Sequence, residues 1–427
     1  MLALLVVAAM TDCFIQKAKA APGAESATRT NSSRLFDVRV FGARGDGKTL
    51  DTAALQSAIN AASTTGGGVV QFPSGTYLSG SLHLKSHVHL QFAASATLLG
   101  SASFGDYEKG AAYALLLADH QTDIRISGEG TVDGQGRQLA RDVMRRAVAG
   151  EFGPENPELR QNQERDLQLP DAEFGPQTKK DRVGELRRPK LLEFRDCQQV
   201  TISGVTLRNS SSWVQNYIGC QGLRIDAIKV DSVAYWNNDG MDITDCRDVK
   251  VSNCDVNSAD DGICLKSNHG GKGCWDIEIS DCRIRSSASA LKFGTASWSG
   301  FHRIHANRLS IRDTFRSAVA LESVDGGVLD DVVVEHVHAT NTGNAICLRL
   351  GQRNTNAPPG IVRNVVIRDL QVEVPAGKPD VGYEIPGPEL KVPHNLCPAW
   401  ITGLPGHPVQ GVVLENIEII YAGGGTP

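Results

Sequence analysis

The sequence has no run of 18 or more apolar residues, so nothing in it is built to span a bilayer as a helix. It lacks an excess of positive charge: 43 Lys and Arg stand against 48 Asp and Glu, a net charge of −5, which argues against a general nucleic-acid binder. Aromatic residues are scarce, at 6% of 427 residues, which favours a slender aliphatic core. Ten cysteines occur but none as Cys-x-x-Cys, so the usual zinc and dithiol redox signatures are missing. The Leu-x-x-Leu-x-Leu pattern of leucine-rich repeats is missing too. What the chain does have is 44 Gly and 18 Pro, a composition suited to many short strands and tight bends.

Those strands recur. Val200-Thr201-Ile202-Ser203, Leu223-Arg224-Ile225-Asp226, Val249-Lys250-Val251-Ser252 and Ile277-Glu278-Ile279-Ser280 follow one another at spacings of 23, 26 and 28 residues. Looser copies begin near Ile304, Leu329, Val362 and Val412. Period-2 alternation makes each unit a strand, and the period of the units is that of a solenoid. An antiparallel sandwich would show hairpin turns at shorter intervals. The expected fold is all-β: a single-stranded right-handed parallel β-helix, which grows as one domain because each rung touches only its neighbours. Cys254 and Cys282 hold equivalent places in their repeats, which predicts a buried ladder of free thiols.

Around this domain, expected over residues 34–427, the chain carries three other features. Residues 1–20 read as a signal peptide, with an apolar stretch from Leu2 to Met10 and a small-x-small site at Ala18-Lys19-Ala20, which predicts a secreted protein. Residues 52–62 are Ala-rich with helical spacing; with Asp51 as N-cap they predict a helix capping the first rung. Residues 137–189 break the repeat, are rich in Arg, Glu, Gln and Pro, and predict an inserted loop overhanging a cleft, with a helical piece at residues 139–149.

The candidate chemistry lies in Asn237-Asn238-Asp239-Gly240-Met241-Asp242 and, one repeat later, Asp260-Asp261-Gly262-Ile263-Cys264-Leu265-Lys266. Asp260 and Asp261 follow Asp239 by 21 and 22 residues, close to one turn of the coil. Adjacent rungs lie about 4.8 Å apart, so the three carboxylates converge on one patch. Clustered acids serve glycoside hydrolysis, and because they cannot all ionise cheaply, at least one should hold a transferable proton near neutral pH.

These motifs resemble glycoside hydrolase family 28, the polygalacturonase-like enzymes of the pectin lyase-like superfamily; Phe41-Gly42-Ala43-Arg44-Gly45-Asp46-Gly47 and Phe72-Pro73-Ser74-Gly75-Thr76-Tyr77 resemble the opening of pectinase-type β-helices generally. The resemblance spans roughly residues 36–420. It implies a hydrolase of pectic or related plant polysaccharide in which Asp260 protonates the leaving oxygen while Asp239 and Asp261 activate water with inversion. No cofactor and no metal is expected. Two family motifs are altered. Gly-His-Gly aligns with Ala288-Ser289-Ala290, and Arg-Ile-Lys aligns with Ala320-Leu321-Glu322, so the usual cations for a galacturonate carboxylate are replaced.

Strand alternation suggests the replacements. With Met241, Ile243, Ile263, Leu265, Leu291 and Phe293 inward, the outer face carries Asp242, Lys266, Lys292, Glu322 and Arg349 on consecutive rungs. Together with Asn237 and Trp236 these are the expected substrate-binding residues; Lys292 is the first choice of replacement cation, followed by Arg349 and Arg353. Trp213, Tyr217 and Trp298 are further aromatics near the cleft, of which Trp298, like Trp236, is expected to face sugar. The expected partner is a polysaccharide or oligosaccharide, with no nucleic acid, no membrane span and a monomeric chain. A β-helix polysaccharide lyase using Lys266 or Lys292 as base, and a non-catalytic glycan-binding β-helix, remain alternative readings.

Overall fold

A computed structural model describes residues 34–108, 113–152, 188–379 and 397–423. The expected leader and most of the expected insertion lie outside the described residues.

The strands wind into a right-handed parallel β-helix. Its ladders are parallel, and one column of paired positions runs Ile124, Val200, Leu223, Val249, Ile277, Ile304, Val332, Val365, Val412. The repeats read from the sequence are therefore successive rungs in register. Three faces result, seen in the coil from Gln221–Asp226 through Lys229–Ser232 to Met241–Thr244. Inward residues of every rung stack into one continuous core, with Ile225, Val230, Met241, Ile243, Ile263, Leu291 and Phe293 essentially inaccessible.

The corners explain the Asn and Asp at the ends of the units. Where the first face turns into the second, one residue per rung has a left-handed backbone: Asn253, Asp281, Arg308, His336, Asp369 and Asn416 all have φ near +50 to +56°. Asn and Asp enter this region at lower cost than most residues. Their side chains then bond along the stack, as when Asn253 Nδ2 donates to Asp226 Oδ1 at 2.7 Å.

Helix α1, Thr52–Thr64, buries Leu55, Ala58, Ile59 and Ala62 over the end of the first rung, as expected of a cap. Asp51 does not cap it through its side chain. That carboxylate turns away and accepts the backbone N–H groups of Arg44 and Gly45 at 2.8 and 3.0 Å, tying the entering turn to the helix. Helix α2, Gly136–Val148, opens the interruption of the repeat.

All nine cysteines among the described residues are free thiols, and only Cys397 is exposed. The ladder is wider than the sequence suggested. Cys197, Cys220, Cys246 and Cys274 occupy one corner on four successive rungs, besides Cys254 and Cys282. Each of Cys220, Cys246 and Cys274 donates to backbone carbonyls across the corner, so the buried thiols have polar partners.

Candidate active site

The acids sit where the chain turns from the second face into the third, immediately before the strands Met241–Thr244 and Ile263–Ser267. Backbone stacking sets their spacing. Gly240 N–H donates to Asp261 O at 2.8 Å, and Gly262 N–H to Ser289 O at 2.8 Å. A β-carbon on Gly240 would meet Gly262 O at 2.7 Å, and one on Gly262 would meet Ala290 O at 2.6 Å. Only glycine allows three rungs to close this tightly, which stacks Asp239 over Asp261.

Oxygens of Asp239 and Asp261, with the Cys264 sulfur, lie within 4.8 Å of one another, all buried. Asp261 accepts the Ser289 N–H on Oδ1 at 3.0 Å, so the residue standing in place of the family's histidine motif holds the acid by its backbone. These three residues could ligate a metal by distance, but a cation is already there. Lys266 Nζ lies 3.0 Å from Asp239 Oδ2, also pairs with Asp242 Oδ1, and sits 3.8 Å from the centre of the Trp213 ring. Asp239 Oδ1 and Asp242 Oδ2 are buried with no hydrogen-bond partner among the described residues.

Asp260 keeps part of its side chain open to solvent. Its Oδ1 accepts the Asp261 N–H at 3.0 Å and its Oδ2 accepts Asn237 Nδ2 at 3.4 Å. Burial, then the charges of Asp239 and Asp261, push the Asp260 carboxyl up to about 8, against the opposing pull of Arg316 and Lys266. Burial also raises Asp239, with Lys266 pulling the other way. Lys266 is itself held well above its ordinary value: burial disfavours its charge, and Asp239 and Asp242 outweigh it. Asp242, raised mainly by burial, is pushed up to about 6.

The outward residues zigzag between two columns. Asp242, Cys264 and Lys292 pair across rungs, with Ala320 and Cys347 continuing the column, while Glu322 and Arg349 pair two residues further along. Asp242, Lys292 and Glu322 are buried. Lys292 is ion-paired with Glu322, so the expected replacement cation is already neutralised. Arg349 stands open, its side chain 56% exposed and 3.7 Å from Glu322. Arg353 is spent on Asp325, donating at 2.9 and 2.6 Å.

Aromatics divide similarly. Tyr217 is wholly buried and donates to Gln215 Oε1, Trp236 is half-buried against the core, and Trp298 packs edge-on against His269 at 4.7 Å. Trp213 is the ring beside the acids. Three further residues escaped sequence reasoning. Asn238 is fully buried and ties residues 232–238 to the rung below through Ser210 O and Ser212 O; its place inside the motif was the available signal. Arg316 acts on Asp260 from two rungs away, and Arg188 enters from the edge of the insertion; neither lies in a recognisable pattern.

Residues 174–289, which include all three acids, match the model of glycosyl hydrolases family 28, and residues 35–120 match that of rhamnogalacturonase A/epimerase, pectate lyase-like. The chain is a glycoside hydrolase, similar to the polygalacturonase-like enzymes of family 28. A probable polygalacturonase of Vitis vinifera is 25% identical over 92% of this hydrolase and 75% of its own length. An exo-poly-alpha-D-galacturonosidase of Dickeya chrysanthemi is 26% identical over 55% of this chain, which spans 42% of that protein. The family 28 exopolygalacturonase structure from Yersinia enterocolitica superimposes with a TM-score of 0.62 at 19% identity, covering 92% of this chain and 79% of that one.

Proposed function

We propose that this hydrolase cleaves a galacturonic-acid-containing pectic polysaccharide, or a related acidic plant glycan, outside the cell, by single displacement with inversion. The observation that carries the reading is the convergence of three carboxylates from two adjacent rungs, with Asp260 raised to about 8, Asp261 held by the Ser289 N–H and Asp239 by the Lys266 ammonium. Asp260 donates its proton to the glycosidic oxygen as the C–O bond breaks. Asp261 with Asp239 takes a proton from water as its oxygen bonds to the anomeric carbon. Asp239 Oδ1, buried and with no hydrogen-bond partner among the described residues, supports a role in that step once substrate and water enter the site.

Substrate binding falls to the groups around this centre: Asn237 beside the acid, Trp236 and Trp213 flanking it, and Arg349 as the open cation for a uronate carboxylate. Asp242, Lys292 and Glu322, being buried and paired, and the largely covered, paired Lys266 hold the floor of the site and its charge balance. The apolar leader-like stretch and the polymeric substrate both support export, and the chain is taken to act as a monomer.

A reducing-end release screen across pectic fractions and neutral polysaccharides tests the reading, with NMR of the first-formed anomer reporting stereochemistry. Unsaturated, ultraviolet-absorbing products would favour a lyase instead, and no release from any fraction would leave a binding protein.

A further inference from the structure

Arg188 is among the largest wholly buried side chains of the described residues. It follows the undescribed part of the insertion and stands just before the strand Lys190–Arg195. Its guanidinium lies 4.9 Å from the centre of the Tyr235 ring. Nη1 donates to Ser211 O and to Trp236 O, the latter at 2.6 Å, and Nη2 donates to Asn237 Oδ1 at 2.8 Å. Asn237 itself sits in the left-handed region at φ 57°, on the corner leading to Asp239.

A guanidinium has donors only, so the Asn237 atom facing Arg188 must be the amide oxygen. The other end of the same planar amide, the NH2, then has to face Asp260, where Nδ2 lies 3.4 Å from Oδ2. We propose that Arg188 is a positioning residue for the catalytic acid: it fixes the Asn237 amide so that a donor, never an acceptor, meets the Asp260 carboxyl. This rests on the reading of Asp260 as the acid.

The consequence is electrostatic. A donated hydrogen bond favours the ionised carboxyl and so makes the acid readier to give up its proton. It works with Arg316 and Lys266, and against burial, Asp239 and Asp261, the other charged groups acting on Asp260. If the amide is released it can turn its oxygen toward Asp260, where the protonated acid donates to it and keeps its proton. Arg188 thereby tunes a group it does not touch, from the edge of the insertion.

The test is the pH profile of kcat/KM for Arg188→Gln, Arg188→Lys, Asn237→Ala and the double variant Arg188→Gln/Asn237→Ala, with Asp260→Asn as reference. The basic limb is expected to move upward by about half a unit or more in Asn237→Ala and Arg188→Gln, and in the same direction but less in Arg188→Lys. In the Arg188 variants kcat should drop about tenfold with KM little changed, and in kcat the double variant should lose no more than the larger single loss, because both act through one amide. A limb that stays in place in Arg188→Lys and Arg188→Gln, or losses that simply add, overturns the proposal; should Arg188→Gln fail to fold, the limb of Arg188→Lys decides. Activity of Asp260→Asn near the parent's would instead refute the acid assignment on which it rests.

Discussion

Lys266 Nζ lies 3.0 Å from Asp239 Oδ2, and both side chains are sunk in the protein beneath the Trp213 ring. The sequence placed Lys266 on the outer face, where it reads as a substrate contact. The structure uses it inside, as the counter-charge that lets two acids, Asp239 and Asp242, be buried side by side.

Removing that counter-charge tests its role. Lys266→Met should lower kcat by at least about a hundredfold, because Asp239 then retains a proton it must give up to serve as base. Stripping one partner from a buried pair also costs about 3–5 kcal/mol, so the melting temperature should fall. Activity close to the parent's, in a folded variant, would show that Asp239 does not depend on Lys266.

Asp260→Asn keeps the shape of the site and removes the proton donor. We expect a loss in kcat of about 10²- to 10⁴-fold with an unchanged circular dichroism spectrum. A loss smaller than about tenfold would mean that another group supplies the proton.

The pH dependence follows from the same carboxyl, raised from 3.8 to about 8. Catalysis needs its protonated form, so kcat/KM should fall as pH rises through about 8, with the apparent value belonging to the acid cluster as a whole. Stability runs in the same direction. Between about 4 and about 8 the native state holds this proton and the unfolded chain does not, so the contribution of Asp260 to stability declines as pH rises across that window. Asp260→Asn removes the slope, and its melting temperature should exceed the parent's by more at about pH 8 than at about pH 5. Equal differences at the two pH values would contradict the raised value.

Substrate choice turns on Arg349. With Lys292 neutralised by Glu322, Arg349→Ala should raise KM on uronate-containing substrates about tenfold, the scale of one lost charged hydrogen bond, and leave neutral substrates little affected. Glu322→Gln should act oppositely by releasing charge on Lys292 and Arg349. The hydrolase should turn over plain polygalacturonate poorly and a branched or modified pectic glycan better. Rapid release from plain polygalacturonate, insensitive to Arg349→Ala, would remove Arg349 from substrate recognition.

The linear chain by itself determined the coil and the acids. Apolar alternation at nearly one period can be satisfied in only one way, by stacking like positions into a shared core, and Gly240 and Gly262 after the acids enforce the close rungs that superpose Asp239 and Asp261. What only the tertiary structure decided is which charges are spent. Lys266, Lys292 and Glu322 read as outward, substrate-facing residues in sequence, because alternation tells inside from outside but not whether an outward face is covered; in the fold they pair with each other or with the acids. Asp51 likewise stands where an N-cap belongs, yet two backbone N–H groups of the entering turn claim its carboxylate first. Arg188 could not be read at all. It is 49 residues from the amide it holds, and no periodicity brings it there; the chain re-enters the coil two rungs before Asn237, and only the fold shows that the guanidinium reaches across them.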